Sequence, residues 1–151
     1  MSAPPRRKAV AAGTGPNLDK IAAMLEQNRG AKAKHAPKSE SRINKEAQDA
    51  LRSLTMCSPE KYHGSVMGRV GHSDLYGVYQ GRAFYLEGKR GSKEKHEIRL
   101  SQINFLEEKR QCGAIVGIYT SADEAVRIVT TGGEFDGGFA SIRDSNRRKK
   151  D

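Results

Sequence analysis

Asp74, Glu87 and Lys89 are the residues of this chain whose types and spacing can do chemistry together. They flank Tyr79-Gln80-Gly81-Arg82, in which Gln80-Gly81 sits where two strands would reverse. With those two residues as the turn, strand partners have numbers that sum to 161, and Asp74 stands opposite Glu87. Cross-strand partners project to one face with Cβ atoms roughly 4.5–5.5 Å apart. Lys89 shares that face, because the strand period is two. Two carboxylates side by side repel, and a divalent cation with oxygen ligands, Mg2+ or Mn2+, removes the conflict. A lysine beside such a cation suits chemistry on a phosphate. The cation polarises the phosphate and lowers the pKa of a bound water, while the ammonium steadies the charge that grows on phosphorus. Glu-x-Lys alone is commonplace on solvated strands; the register against Asp74 gives it meaning.

The elements around the hairpin must hold these groups in place. A helix is expected from about Ser39 to Leu54, with the apolar stripe Ile43, Ala47, Ala50, Leu51 and Leu54. Counting 100° per residue, Glu40 falls within that stripe and Glu46 to its side. An inward carboxylate in a first turn serves either a site or only the helix macrodipole, and geometry leaves both open. A polar loop through Pro59 and Gly64 should lead to a first strand near Val66–Val70, and the hairpin strands to 74–79 and 82–89. Gly91–Arg99 reads as a mixed-charge loop. Ser101 then caps a helix, with Leu100 and Phe105 as its hydrophobic staple and Gly113 as its stop. The apolar run Ala114–Tyr119 suits an interior strand, and Ser121-Ala-Asp-Glu124 is a capping box for a last helix ending at Gly132-Gly133. The order is helix, three strands, helix, strand, helix, and the final β–α–β unit should cross over right-handed. That makes an α/β fold, a mixed sheet flanked by helices.

Composition bounds the function. The 151 residues suffice for one domain plus tails. A charged fraction of 30% and a mean hydropathy of −0.73 speak against an integral membrane protein, and no apolar run reaches the roughly 18 residues of a membrane span. Met1-Ser-Ala-Pro-Pro-Arg-Arg-Lys lacks the apolar region of a secretory signal, and two cysteines far apart make no disulfide scaffold, so a cytoplasmic setting is expected. A net charge of +9 favours a polyanionic partner. Residues 1–37 read as a basic, flexible segment with a short helix near 17–28 (Leu18, Ile21, Ala22, Leu25), and 132–151 as a flexible basic tail, leaving 38–131 as the folded domain. His35, His63, His72 and His96 with Cys57 and Cys112 show no zinc-ligand spacing. His72 would pair with Lys89 and could touch a substrate.

Several segments in order resemble the VRR-NUC domain, a branch of the PD-(D/E)XK nuclease superfamily with many phage and bacterial members. They are Glu40-Ser-Arg-Ile-Asn-Lys, Gly71-His-Ser-Asp74-Leu-Tyr-Gly, Gly81-Arg-Ala-Phe-Tyr-Leu-Glu87-Gly-Lys89 and Leu100-Ser-Gln102. Gly113-Ala-Ile-Val-Gly-Ile-Tyr-Thr-Ser-Ala-Asp-Glu-Ala is similar to that domain's closing strand and helix, and the resemblance covers about residues 38–131. It implies a restriction-endonuclease-like core and a Mg2+- or Mn2+-dependent deoxyribonuclease in a bacterial cell or phage-infected host. It makes Asp74 and Glu87 metal ligands, Lys89 the catalytic lysine, Glu40 a further carboxylate at the metal, and Gln102 the family's glutamine. Small stand-alone members are similar to junction-cutting endonucleases that act as homodimers, so branched DNA is an expected substrate. Two positions depart from the pattern. Ser73 stands where proline often precedes the aspartate, which should loosen the start of the strand. Gly88 replaces an apolar residue; its carbonyl can still approach a metal, but packing beneath the strand should be lost. The alternative reading is a nucleic-acid-binding domain of this fold without turnover.

Overall fold

The computed structural model describes residues 18–29, 37–65 and 67–150. Its elements run α1 (Leu18–Arg29), α2 (Glu40–Arg52), β1 (Cys57–Lys61), β2 (Leu75–Tyr79), β3 (Arg82–Gly88), α3 (Ser92–Lys95), α4 (Leu100–Gln111), β4 (Ile115–Tyr119), α5 (Ala122–Thr130) and α6 (Phe139–Arg148). The four strands form one sheet in the order β1-β2-β3-β4; β1, β2 and β3 are antiparallel neighbours, and β4 joins β3 in parallel. The fold is thus mixed α/β, with helices on both faces of a mixed sheet. Among the described residues no helix is long and apolar enough to cross a membrane.

The hairpin forms in the expected register. Leu75 pairs with Leu86 and Tyr79 with Arg82, while Gln80 (φ 48°) and Gly81 (φ 83°) both adopt the left-handed backbone of a two-residue turn. Alternation along the strands then divides the core in two. Leu75, Tyr79, Phe84, Leu86, Ile115 and Tyr119 point to the face covered by α2 and α5. Val116 and Ile118 point to the other face, where they meet Ile103, Phe105 and Leu106 of α4. The α2 stripe is buried as expected at Ile43, Ala47, Leu51 and Leu54, and Ser39 caps the helix by accepting from the Arg42 N–H (3.3 Å). In α1, Ile21 packs against the α2–α5 side of the core.

Four expectations are corrected. The first strand is Cys57–Lys61; of the expected Val66–Val70, Val66 lies outside the described residues and 67–70 form no strand, with Met67 and Val70 exposed. Pro59 pointed away from a strand, yet it lies in an edge strand. There the Tyr62 N–H reaches Asp74 O (2.8 Å), so by alternation the missing N–H of Pro59 falls on the free edge. The α4 cap is Arg99 rather than Ser101, and no staple forms, because Leu100 stays exposed while Phe105 is buried. The Gly91–Arg99 loop contains the single-turn α3. The tail beyond Gly133 is not flexible throughout: α6 buries Phe139 and Ile142 against the α4 side of the sheet. Before α6, residues 133–138 run along the free edge of β4, where the Ile118 N–H donates to Asp136 O (3.0 Å). A Cβ on Gly137 would lie 1.7 Å from Ile118 O, so glycine is required. β4 is therefore last in the sheet, yet covered like an interior strand. Residues 1–17 and 30–36, expected to be flexible, lie outside the described residues.

Candidate active site

The end of β3 gathers the charged groups. Extending the β2–β3 register one step past Leu75–Leu86 brings Asp74 opposite Glu87, on the α4 face of the sheet. Glu87 is 1% exposed. Its Oε1 accepts from Gln102 Nε2 (2.5 Å) and stands 3.3 Å from Lys89 Nζ, while Oε2 is buried with no hydrogen-bond partner. Burial first, and then the charge of Asp74, push the Glu87 carboxyl up to about 8; Lys89 opposes this and Glu40 adds to it. Asp74 is oriented by the hairpin itself, since its Oδ2 accepts from the Gly88 N–H at 2.9 Å.

Gln102 links the site to α4. Its Oε1 accepts from the Arg99 N–H (3.1 Å), closing the helix start, so its Nε2 is aimed at Glu87. The glutamine thus sits in contact with the strand carboxylate. Lys89 is anchored by its backbone, whose N–H donates to Tyr119 O (2.9 Å), and its side chain is 14% exposed. Glu40 begins α2 on the opposite side of the sheet. It stands one turn before Asn44 on the same helix face, and its negative charge is felt at both Glu87 and Tyr119.

Both departures from the family pattern have a local compensation. Ser73 does not loosen the strand: it is fully buried, and its Oγ donates to Leu75 O (3.1 Å). Nor is packing lost at Gly88. A Cβ there would lie 2.1 Å from Asn44 Oδ1 and 2.9 Å from Tyr119 Oη, because the buried hydrogen bond from Tyr119 Oη to Asn44 Oδ1 (2.6 Å) fills the space. Sequence reasoning missed Asn44 and Tyr119, the pair that packs beneath Gly88. Asn44 offered one signal, a polar residue on the buried stripe of α2 one turn after Glu40. Tyr119 is raised well above the usual tyrosine range by burial and by the nearby carboxylates Asp74, Glu87 and Glu40.

The β2–β3 pairing begins at Leu75 and does not include His72 with Lys89. The His72 ring stacks on Tyr62 (centroids 3.8 Å apart, planes at 10°) and its Nδ1 lies 2.9 Å from Ser73 O.

The residues present fit a cation at Asp74 and Glu87. An anionic carboxylate with one orphaned, buried oxygen is costly, and an opposite charge close to Oε2 is what the arrangement lacks. Among the described residues no three His, Cys, Asp or Glu side chains converge as a ready-made cage, so water or substrate oxygens would complete the coordination. Comparison with protein families, curated proteins and solved structures found no match to this chain.

Proposed function

We propose that the protein is a Mg2+- or Mn2+-dependent nuclease that hydrolyses phosphodiester bonds in DNA, built on a restriction-endonuclease-like core of the VRR-NUC type. The observation that carries the reading is the buried, half-satisfied Glu87 with Asp74 opposite and Lys89 beside it. Asp74 and Glu87 would hold the cation, with Glu40 and the Gly88 carbonyl as further oxygen donors. When bound, the cation polarises the phosphate and acidifies a water.

The chain's own residues do the rest. Glu87 is held in one orientation by Gln102, so its free Oε2 keeps its direction. Lys89, tied to Tyr119 O through its backbone, presents its ammonium to the negative charge that develops on the phosphoryl oxygens. The water oxygen bonds to phosphorus, the phosphorus–oxygen bond to the leaving sugar breaks, and the water proton ends on the leaving oxygen. The excess of 27 Lys and Arg over 18 Asp and Glu supports a phosphate backbone as partner. The reading brings with it the cytoplasm of a bacterial cell or phage-infected host as its setting, branched DNA as substrate and a homodimer as the working form.

Incubating supercoiled plasmid with the purified protein in Mg2+, Mn2+ or EDTA tests this directly. Nicking or linearisation in the metals alone is expected. Plasmid binding without cleavage in either metal would replace the proposal with the non-catalytic DNA-binding alternative.

A further inference from the structure

Tyr62 extends the row of site residues across the sheet. Its N–H donates to Asp74 O (2.8 Å), one step past the Lys61–Leu75 pair, so Tyr62 just beyond β1 and Asp74 just before β2 stand abreast of Glu87 on β3. By alternation all three side chains leave the same face, and neighbouring strands are about 4.8 Å apart. The Tyr62 backbone is therefore about one strand spacing from that of Asp74.

That ring is the outer member of a stack. His72 covers one of its faces, and the other side of His72 meets the buried Phe105 (centroids 4.6 Å). Tyr76 closes against the His72 edge at 5.3 Å. Tyr62 itself is part-exposed, and among the described residues no second ring or cation lies on it. Its hydroxyl lies against Gly68, where an added Cβ would fall 2.0 Å from Tyr62 Oη. Behind the stack, Arg69 lies over Phe105 (4.9 Å) and is ion-paired with Glu108 of α4. A part-exposed aromatic surface, backed by a buried ring stack and next to two carboxylates, is more than a packing cluster needs.

We infer that Tyr62 is a stacking platform for an unpaired nucleobase flanking the scissile phosphate. On this account Tyr62 is the residue that takes an unpaired base of the branched DNA already proposed as substrate, a contact that continuous duplex does not offer. The inference rests on the nuclease reading and deepens it. A paired base is already stacked within its duplex and leaves no π-face free, whereas an unpaired base takes a platform of any sequence. Successive bases of a strand rise about 3.4 Å in a duplex. A platform about 4.8 Å from the Asp74 strand therefore meets a base one or two nucleotides from the phosphate at the carboxylates.

The test measures binding in EDTA, by anisotropy, to a labelled duplex and to the same duplex carrying a short single-stranded flap. The wild-type protein should favour the flap, and 2-aminopurine in the flap should change its emission on binding. Tyr62→Leu, which keeps apolar bulk without a π-face, should reduce the flap-to-duplex affinity ratio roughly 5- to 100-fold and abolish the 2-aminopurine response. Tyr62→Phe should keep both, and thermal melting establishes that each variant is folded. A wild-type protein that binds duplex and flap equally, or a folded Tyr62→Leu with the wild-type ratio, overturns the platform and leaves the nuclease reading standing. A wild-type protein that binds no DNA overturns both.

Discussion

Replacing Glu87 by glutamine should stabilise the metal-free protein at alkaline pH while destroying the site. The carboxyl is raised from 4.5 to about 8, chiefly by burial and next by Asp74, so between those values the folded state binds more protons than the unfolded one. Stability therefore falls as pH rises through this window. The neutral carboxyl imposes no cost below pH 4.5, and the full cost is reached above about pH 8. At about 1.4 kcal/mol per pKa unit, the wild-type protein at pH 8 gives up roughly 4 kcal/mol in holding this charge. The amide of Glu87→Gln carries no charge but inherits the orphaned position of Oε2, which returns about 1–3 kcal/mol. A net gain of about 1–3 kcal/mol is expected, or roughly 3–10 °C in Tm for a chain of this size. The assay is thermal melting of both proteins in EDTA at pH 8 and pH 5. The gain should appear at pH 8 and vanish or reverse at pH 5, where the wild-type Glu87 already holds its proton. Equal destabilisation at both pH values would refute the reasoning and make Glu87 an ordinary structural carboxylate.

Lys89→Ala should lower the single-turnover cleavage rate about 10²–10³-fold, the scale of losing one group that stabilises developing charge, while metal titrations change little; an unchanged rate would reduce Lys89 to an ion-pair partner. Gly88→Ala drives a Cβ onto Asn44 Oδ1 and should cost about 1–3 kcal/mol in urea unfolding, as overpacking does. A wild-type midpoint would show that the Asn44–Tyr119 hydrogen bond is not the filler described. Truncation after Gly132 removes α6 and the cover of the β4 edge, so size-exclusion chromatography should show association or loss of fold. A monodisperse, fully active truncated chain would mean that the tail is dispensable after all.

The hairpin was legible because two things agreed. Gln80-Gly81 marks a turn with positive φ at both residues, and the flanking strands alternate, so one choice of turn fixed every pair down to Asp74 and Glu87. Helix α2 was legible from its stripe and its Ser39 cap. β1 was not, because Cys57-Ser-Pro-Glu-Lys carries a proline and little apolar character, and only its place at the sheet edge makes that harmless. α6 was hidden for a related reason. It has few apolar residues, and its basic face is answered by Glu107, a residue far away in sequence. That glutamate is drawn down to about 2 by its hydrogen bonds to Arg110 and Arg143, and such long-range pairing leaves no local trace. In the site, the identities of Asp74, Glu87 and Lys89 and their shared face could be read from spacing. The orphaned Oε2, the Gln102 contact and the space filled by Asn44 and Tyr119 arise from packing between elements.

The most direct measurement compares wild-type protein and Asp74→Asn on supercoiled plasmid at saturating protein concentration, with Mg2+ or with EDTA. The amide oxygen of asparagine can still accept from the Gly88 N–H, so the hairpin should fold as before while one ligand charge is lost. The account predicts Mg2+-dependent cleavage by the wild type, none in EDTA, and none by a folded Asp74→Asn that still binds the plasmid. Cleavage by a rigorously purified Asp74→Asn at the wild-type rate would contradict the account.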